Sequence, residues 1–286
     1  MEATGLDPAE FRSGQQKQWG KVSDGWRKWS DLIESECWRV SERLVELAGV
    51  APKGNVLDVG AGYGEPSLTA AIEAGPEGRV VATDISDEMM AFGAERAAAA
   101  GLDNLEFVQG AAASLEFPEE SFDAALSRWG IIFEPDAEEA AGRIRRFLKP
   151  GARMAISSWG PPDRAPMLGL PMMAALEHVS AEPPPPGTPG PLSRPTPEAI
   201  GGLLEGGGFG DVEVEEMELD FEWDSPEEFT TCIEDIVPPI TAIIAPEPEE
   251  VQAEAWGAIT DAARDRADGD GKVKLKNLAL LAVGRA

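Results

Sequence analysis

Val56-Leu57-Asp58-Val59-Gly60-Ala61-Gly62-Tyr63-Gly64 decides how the rest of the chain is read. An apolar run that suits a buried strand reaches a carboxylate at Asp58. Three glycines at alternate positions then let the backbone turn and approach a ligand closely. Outward from this turn, residues 51–160 alternate short apolar runs with helical patterns. Strands are expected at 55–59, 79–83, 105–108, 123–127 and 153–157, with helices over 88–100 and 137–148 among the connections. Such alternation predicts a parallel sheet covered on both faces and joined by right-handed crossovers. The glycine turn then stands at the carboxyl end of the first strand, where open α/β sheets bind ligands. The second strand runs into Asp84, twenty residues beyond Gly64, where a carboxylate can accept both hydroxyls of a ribose. Asp84 also suits the N-cap of the following helix, a role open to Ser86 and Asp87 as well.

The flanks have other patterns. Residues 1–50 interleave Trp19, Trp26, Trp29 and Trp38 with charges, and 31–48 reads as an amphipathic helix. Residues 161–196 form an insert: a helical piece over 167–179 leads into a proline-rich loop, 183–191, that cannot be regular helix or sheet. Residues 197–286 resume with a helix at 197–206 and two alternating strand patterns, 212–221 and 273–283, most simply paired antiparallel. The expected organisation is a helical lid (1–50), a core (51–160), the insert (161–196) and completion of the same domain (197–286).

Composition limits the partners. The 286 residues carry 52 acidic and 24 basic side chains, a net charge of −28. A nucleic-acid binder or a protein held on anionic lipid needs the opposite sign. Residues 161–286 alone hold 25 of the acids against 8 of the bases. This is read as a solvated outer surface, or as adaptation to high salt. No apolar run reaches membrane-spanning length and no secretory signal pattern opens the chain, so a cytoplasmic protein is expected. Cys37 and Cys232 are far apart without metal-like spacing and read as reduced thiols.

Four further segments, at ordered distances, carry a resemblance. They are Ala82-Thr83-Asp84-Ile85-Ser86-Asp87-Glu88-Met89-Met90, Phe107-Val108-Gln109-Gly110-Ala111-Ala112, Ser121-Phe122-Asp123-Ala124-Ala125-Leu126-Ser127 and Phe147-Leu148-Lys149-Pro150-Gly151-Ala152-Arg153. With the glycine turn, the run 55–160 resembles the class I S-adenosyl-L-methionine (SAM)-dependent methyltransferases of the small-molecule type, related to ubiquinone/menaquinone-biosynthesis enzymes. The resemblance implies a Rossmann-like, seven-stranded, mostly parallel sheet with helices on both faces and an antiparallel C-terminal strand. It implies that Gly60, Ala61 and Gly62 meet the methionine part of SAM, with Tyr63 close by. Asp58 would orient the amino group and Asp84 would hold the ribose. Ile85 and Met89 would pack on adenine beside Gly110, Ala111 and Ala112, and Ser127 would face the methionine through its carbonyl. One departure is Ala111, where many relatives place an acid that reaches the adenine amino group.

Methyl transfer from a sulfonium needs nucleophile, carbon and sulfur held in line, and a base only for a protonated acceptor. His178, the one histidine, is a candidate base, or else a helix-end residue facing carbonyls or solvent. Arg128 is a candidate substrate contact, or else a partner for a neighbouring acid. Trp129 is read as lining the same cleft or as packing. The expected activity is methylation of O, C or N of a small organic molecule such as a quinol or phenol. The alternatives are a non-catalytic SAM-binding protein and an NAD(P)-dependent oxidoreductase, the latter lacking a glycine at Glu65. The oligomeric state is not encoded in any of these patterns. If the acidic surface is salt-adapted, the melting temperature rises with added sodium or potassium chloride. A flat response in a thermal scan reduces the charge to mere composition.

Overall fold

The computed structural model describes residues 7–182, 185 and 187–286. Pro183, Pro184 and Pro186 of the proline-rich loop, and residues 1–6, lie outside the described residues. Strand β1 (Asn55–Val59) pairs in parallel with β2 (Arg79–Asp84) on one side and β4 (Phe122–Arg128) on the other. β3 (Leu105–Gln109) continues the sheet beyond β2, and β5 (Leu148–Trp159) continues it beyond β4, both parallel. β7 (Val273–Arg285) runs antiparallel to β5 and to the edge strand β6 (Gly210–Trp223), completing the order β3-β2-β1-β4-β5-β7-β6. Strand order reverses at β1, so a crevice opens beyond the carboxyl ends of β1 and its neighbours. All five core strands stand where the hydrophobic runs place them.

Burial on both faces explains why β1 reads as a continuous apolar run rather than an alternating one. Val56 belongs to the core under α1 (Pro8–Ala48) and α2 (Ser67–Ala74). Its neighbour Leu57 belongs to the opposite core, under α4 (Ala137–Phe147) and α6 (Pro197–Gly206). α3 (Asp87–Ala99) follows β2 and begins at Ser86, whose hydroxyl accepts from the Met89 amide. Asp84 is thereby released from capping. α5 (Pro166–Leu176) ends short of the expected insert helix. The connection from β6 to β7 holds α7 (Pro226–Ile236), α8 (Pro238–Ile244) and α9 (Glu249–Arg264).

The N-terminal segment is a single helix of 41 residues. Asp7 caps it by accepting from the Ala9 and Glu10 amides, Pro8 suits its first turn, and Gly49 ends it at φ 71°. Its fully buried stripe (Trp29, Ile33, Cys37, Val40, Leu44 and Ala48) occupies only the second half. The first half is half-buried at best and extends past the sheet toward the crevice. There α7 meets it: the Trp29 indole and the Lys28 ammonium both donate to Asp235, each at 2.8 Å. The helices approach so closely at Gly25 that a Cβ there would stand 2.2 Å from the Asp235 carbonyl oxygen.

Charge is arranged as the composition suggests. β6 turns Leu219, Phe221 and Trp223 inward and Glu218, Asp220 and Glu222 outward; Lys276 of β7 answers Glu218, and Lys274 of β7 with Lys272 just before it answers Glu222. A charged edge strand resists pairing with another chain. Among the described residues no helix is long and apolar enough to cross a membrane. Cys37 and Cys232 are both buried and unbonded.

Two glycine-to-alanine substitutions in helices are expected to act with opposite sign. Gly257→Ala, in exposed α9 with nothing near the added carbon, gains about 1 kcal/mol of helix propensity. Gly25→Ala forces α1 from α7 and loses about 1–3 kcal/mol. Urea unfolding of both variants checks the pair; equal shifts would show that the α1–α7 contact is not tight.

Candidate active site

The turn after β1 is held open by backbone geometry. Gly60, Gly62 and Gly64 all adopt positive φ, at 72°, 53° and 106°, which accounts for glycine at alternate positions. The Gly60 and Ala61 amides both donate to the Thr83 carbonyl of β2, at 2.8 and 2.9 Å. Asp84 completes the tie: one carboxylate oxygen accepts from the Gly62 amide and the other from the Ser86 amide, both at 2.8 Å. Burial raises the Asp84 pKa above the usual carboxylate range, and these amides oppose the rise. Met89 reaches over the turn, its Cε 3.5 Å from where a Cβ of Gly62 would lie.

The end of β4 crosses this turn at van der Waals contact. A Cβ on Gly60 would meet the Gly130 Cα at 2.6 Å, and one on Gly130 would meet the Val59 carbonyl oxygen at 2.4 Å. The buried Ser127 hydroxyl donates to the Val59 carbonyl at 2.6 Å and accepts from the Ile131 amide at 2.8 Å, which locks the crossing. Between them, Trp129 is forced to φ 54° and its amide donates to Ser157 Oγ. A non-glycine residue in that region marks a site under constraint. The indole of Trp129 lies parallel to that of Trp159, with centroids 4.4 Å apart.

Turn and crossing open into one cavity of about 1380 Å³, its mouth included. Gly60, Ala61, Gly62, Tyr63, Asp84, Ile85, Met89, Gly110 and Ala112 line one end, so nine of the twelve expected cofactor residues share one surface. Ala111 and Ser127 stand behind this wall, and so does Asp58. The Asp58 carboxyl is fully buried: Ser67 Oγ donates to one oxygen at 2.5 Å, and the other has no partner among the described residues. The other end is aromatic, with Trp19, Trp26, Phe133, Trp129 and Trp159 along its walls. Trp19 stands edge-on to Phe133, and Trp26 leans on Tyr63. Arg12 closes the mouth against Glu134 at 2.7 Å.

Two expected catalytic residues are corrected. His178 follows the end of α5, exposed, with its amide bonded to the Ala175 carbonyl and its ring outside the cavity wall, so it is in no position to accept a proton there. Arg128 reaches the cavity, but its guanidinium is committed to α1. It donates to Glu34 at 2.5 and 3.0 Å, to the Cys37 carbonyl at 3.1 Å and to Ser41 Oγ at 3.0 Å. The ion-pair reading of Arg128 therefore replaces the substrate contact. Sequence reasoning missed Glu34, one acid among many on a charged helix. It also missed Ile236, Val237, Pro238 and Pro239, which roof the aromatic end from the α7–α8 junction. No motif marks either; only the docking of α7 on α1 brings them in.

Part of this chain is similar to known proteins. Residues 56–151 match the family model described as a methyltransferase domain. A segment of 149 residues, 51% of the chain, is 33% identical to the ubiquinone/menaquinone biosynthesis C-methyltransferase UbiE of Ectopseudomonas mendocina, covering 56% of it. A demethylmenaquinone methyltransferase of Listeria monocytogenes matches at 33% identity over 150 residues, 51% of this chain and 62% of that one. The chain is similar to these methyltransferases over about half of its length. The match spans less than two thirds of these relatives' own length. Among solved structures, a putative methyltransferase from Bacillus halodurans superposes with a TM-score of 0.56 over 86% of this chain and 97% of that one. At 18% identity it shows the shared fold alone.

The matched segment carries one buried acid whose titration is readable. Burial pushes the Asp58 carboxyl up to about 7, with the Ser67 hydroxyl and the Arg128 charge opposing the rise. The unfolded chain releases that proton near pH 4. The folded chain therefore holds an extra proton in between, and the stability this adds is complete below pH 4 and lost as pH rises through 7. Comparing urea unfolding of the wild type and Asp58→Asn at pH 5 and pH 7.5 isolates the effect. The wild type should lose about 2 kcal/mol relative to the variant across that interval. Parallel behaviour would mean Asp58 ionises normally.

Proposed function

We propose that this cavity binds S-adenosyl-L-methionine at its glycine end and that the enzyme transfers the methyl group to a small organic acceptor at its aromatic end. The observation that carries the reading is the union of both ends in one cavity. One end offers backbone and a carboxylate and the other offers aromatic rings, which suits two different molecules side by side. The residues present fit the cofactor. Each Asp84 oxygen spends one lone pair on a backbone amide and keeps another for a ribose hydroxyl. The unpartnered oxygen of Asp58 behind the turn suits a cationic amino group, directly or through water. Gly60, Ala61 and Gly62, with Tyr63 next to them, present backbone to the methionine part. Ile85 and Met89 flank a slot for adenine beside Gly110 and Ala112, and Ser127 contributes by holding the β4 crossing. Ala111 stands off the cavity, so adenine is held by backbone and apolar contact.

Bound SAM supplies an electrophilic methyl group. The protein contributes alignment and exclusion of water. The first half of α1 acts as the lid, latched at the mouth by Arg12 and Glu134. The parallel Trp129–Trp159 pair and the apolar roof favour a flat, uncharged acceptor of the quinol or phenol class. Both cations at the wall, Arg12 and Arg128, are already neutralised by Glu134 and Glu34, so an anionic acceptor gains little. The two relatives, named for menaquinone biosynthesis, support a ring-bearing acceptor.

Titration calorimetry with S-adenosylhomocysteine tests the cofactor site. The wild type should bind, and Asp84→Ala should lose about 2–4 kcal/mol of affinity, as for a buried charge-assisted pair. Absence of wild-type binding at every salt concentration refutes the reading. Release of S-adenosylhomocysteine from SAM in the presence of a quinol and phenol library then separates an enzyme from a protein that only binds.

A further inference from the structure

We propose that Glu34 is a positioning residue of this site, the carboxylate that keeps the cofactor turn and the acceptor wall in register. The proposal rests on the cofactor reading above. Glu34 lies in the second half of α1 and is not part of the cavity wall, so it acts through the two side chains it holds. One comes from the turn after β1: the Tyr63 hydroxyl donates to Glu34 Oε1. The other comes from the end of β4: Arg128 donates through Nη2 to the same oxygen at 2.5 Å and through Nη1 to Oε2 at 3.0 Å. Arg128 Nη2 also donates to the Tyr63 hydroxyl at 3.1 Å, so the three side chains close a ring.

Burial makes this ring rigid. The Arg128 side chain is 4% exposed and that of Glu34 15%, so a guanidinium that loses its carboxylate has no water to replace it. Arg128 holds the Glu34 carboxyl below its usual range although burial pushes the other way, so the pair stays charged.

From the ring, connections run to both ends of the cavity. The Tyr63 carbonyl accepts from Arg96 of α3 at 2.9 Å, and the same guanidinium faces Glu65 at 3.5 Å. The next amide back along the chain, that of Gly62, is the one bonded to Asp84. In the other direction Arg128 leads directly into Trp129, whose guanidinium-covered indole stacks on Trp159. A carboxylate that shifts by an ångström moves the ribose end and the acceptor end together, and misplacement of that size is enough to disable a site.

Tyr63 is the one tyrosine of the chain, so labelling with ¹³C-tyrosine yields a single ring signal that reports on the ring of side chains. The experiment uses the full chain and S-adenosylhomocysteine as probe, with Glu34→Gln, Tyr63→Phe, the double variant and Arg43→Ala. Arg43 fastens α1 to Glu215 of β6, away from the cavity, and controls for simple loosening of the helix. Glu34→Gln should weaken S-adenosylhomocysteine about tenfold and displace the Tyr63 signal in the unliganded protein. Tyr63→Phe should weaken it about threefold, and the double variant should be no worse than Glu34→Gln, because the residues act as a unit. Arg43→Ala should lower the melting temperature and leave affinity within about twofold of wild type.

Glu34→Gln affinity within about twofold of wild type overturns the proposal, as do additive losses or an Arg43→Ala loss as large as that of Glu34→Gln. If Glu34→Gln does not fold, Tyr63→Phe decides, since it keeps the ion pair, and unchanged affinity there overturns the proposal. A wild type that does not bind at all refutes the cofactor reading and this proposal with it. Wild-type binding with indifferent variants refutes this proposal alone.

Discussion

A guanidinium buried at the edge of a sheet has to be paired, because leaving such a charge alone in the interior costs several kcal/mol. Arg128 stands at the carboxyl end of β4, two residues before the crossing at Gly130, and its side-chain acceptors other than the Tyr63 hydroxyl lie on α1. The position of the long helix follows from this. Trp29 on Asp235, Gly25 against the same residue and Arg27 on Glu95 then fix its two flanks. With α1 set, its half-buried first half has nowhere to lie except over the mouth of the crevice, and α7 and α8 complete the roof. The cavity is thus a consequence of satisfying one buried charge.

The same pairing shapes the chemistry available inside. Glu34 and Glu134 neutralise the arginines at the wall, so the aromatic end presents rings and aliphatic groups rather than free charge. That environment suits the proposed methyl transfer, whose charge would be brought by the sulfonium and dispersed, and which depends on alignment in a dry site. The net charge of −28 belongs elsewhere. Much of it lies on the outer face of β6 and the surfaces of the C-terminal helices, where lysines of β7 partly answer it.

Local chemistry explains what was legible in the chain. A strand buried on both faces must be apolar throughout, so 55–59 and 79–83 stand out. A turn with three positive φ angles needs glycines, so Gly60, Gly62 and Gly64 mark the ligand end. Asp84 was equally readable, although whether it caps α3 or serves the turn was settled only when Ser86 took the cap. Long-range pairings left no such mark. Glu34 and Arg128 are 94 residues apart and Trp129 and Trp159 are 30 apart, with no local pattern tying either pair together. His178 drew attention as the lone histidine, but scarcity says nothing about position, and the end of α5 leaves it in solvent. Pro238 and Pro239 lie in no motif, and only the docking of α7 and α8 makes them part of the roof.

Sequence alone determined the order of the core strands, the glycine turn with its two acids, and a net charge that disfavours polyanionic partners. Each depends on backbone conformation, burial periodicity or summed charge, which are written within a few residues or over the whole chain. The tertiary structure alone decided which charges neutralise each other, which aromatics face one another and which segments enclose the cavity. Those depend on side chains meeting across tens to hundreds of residues, where any arginine has many acids to choose from and only packing selects one.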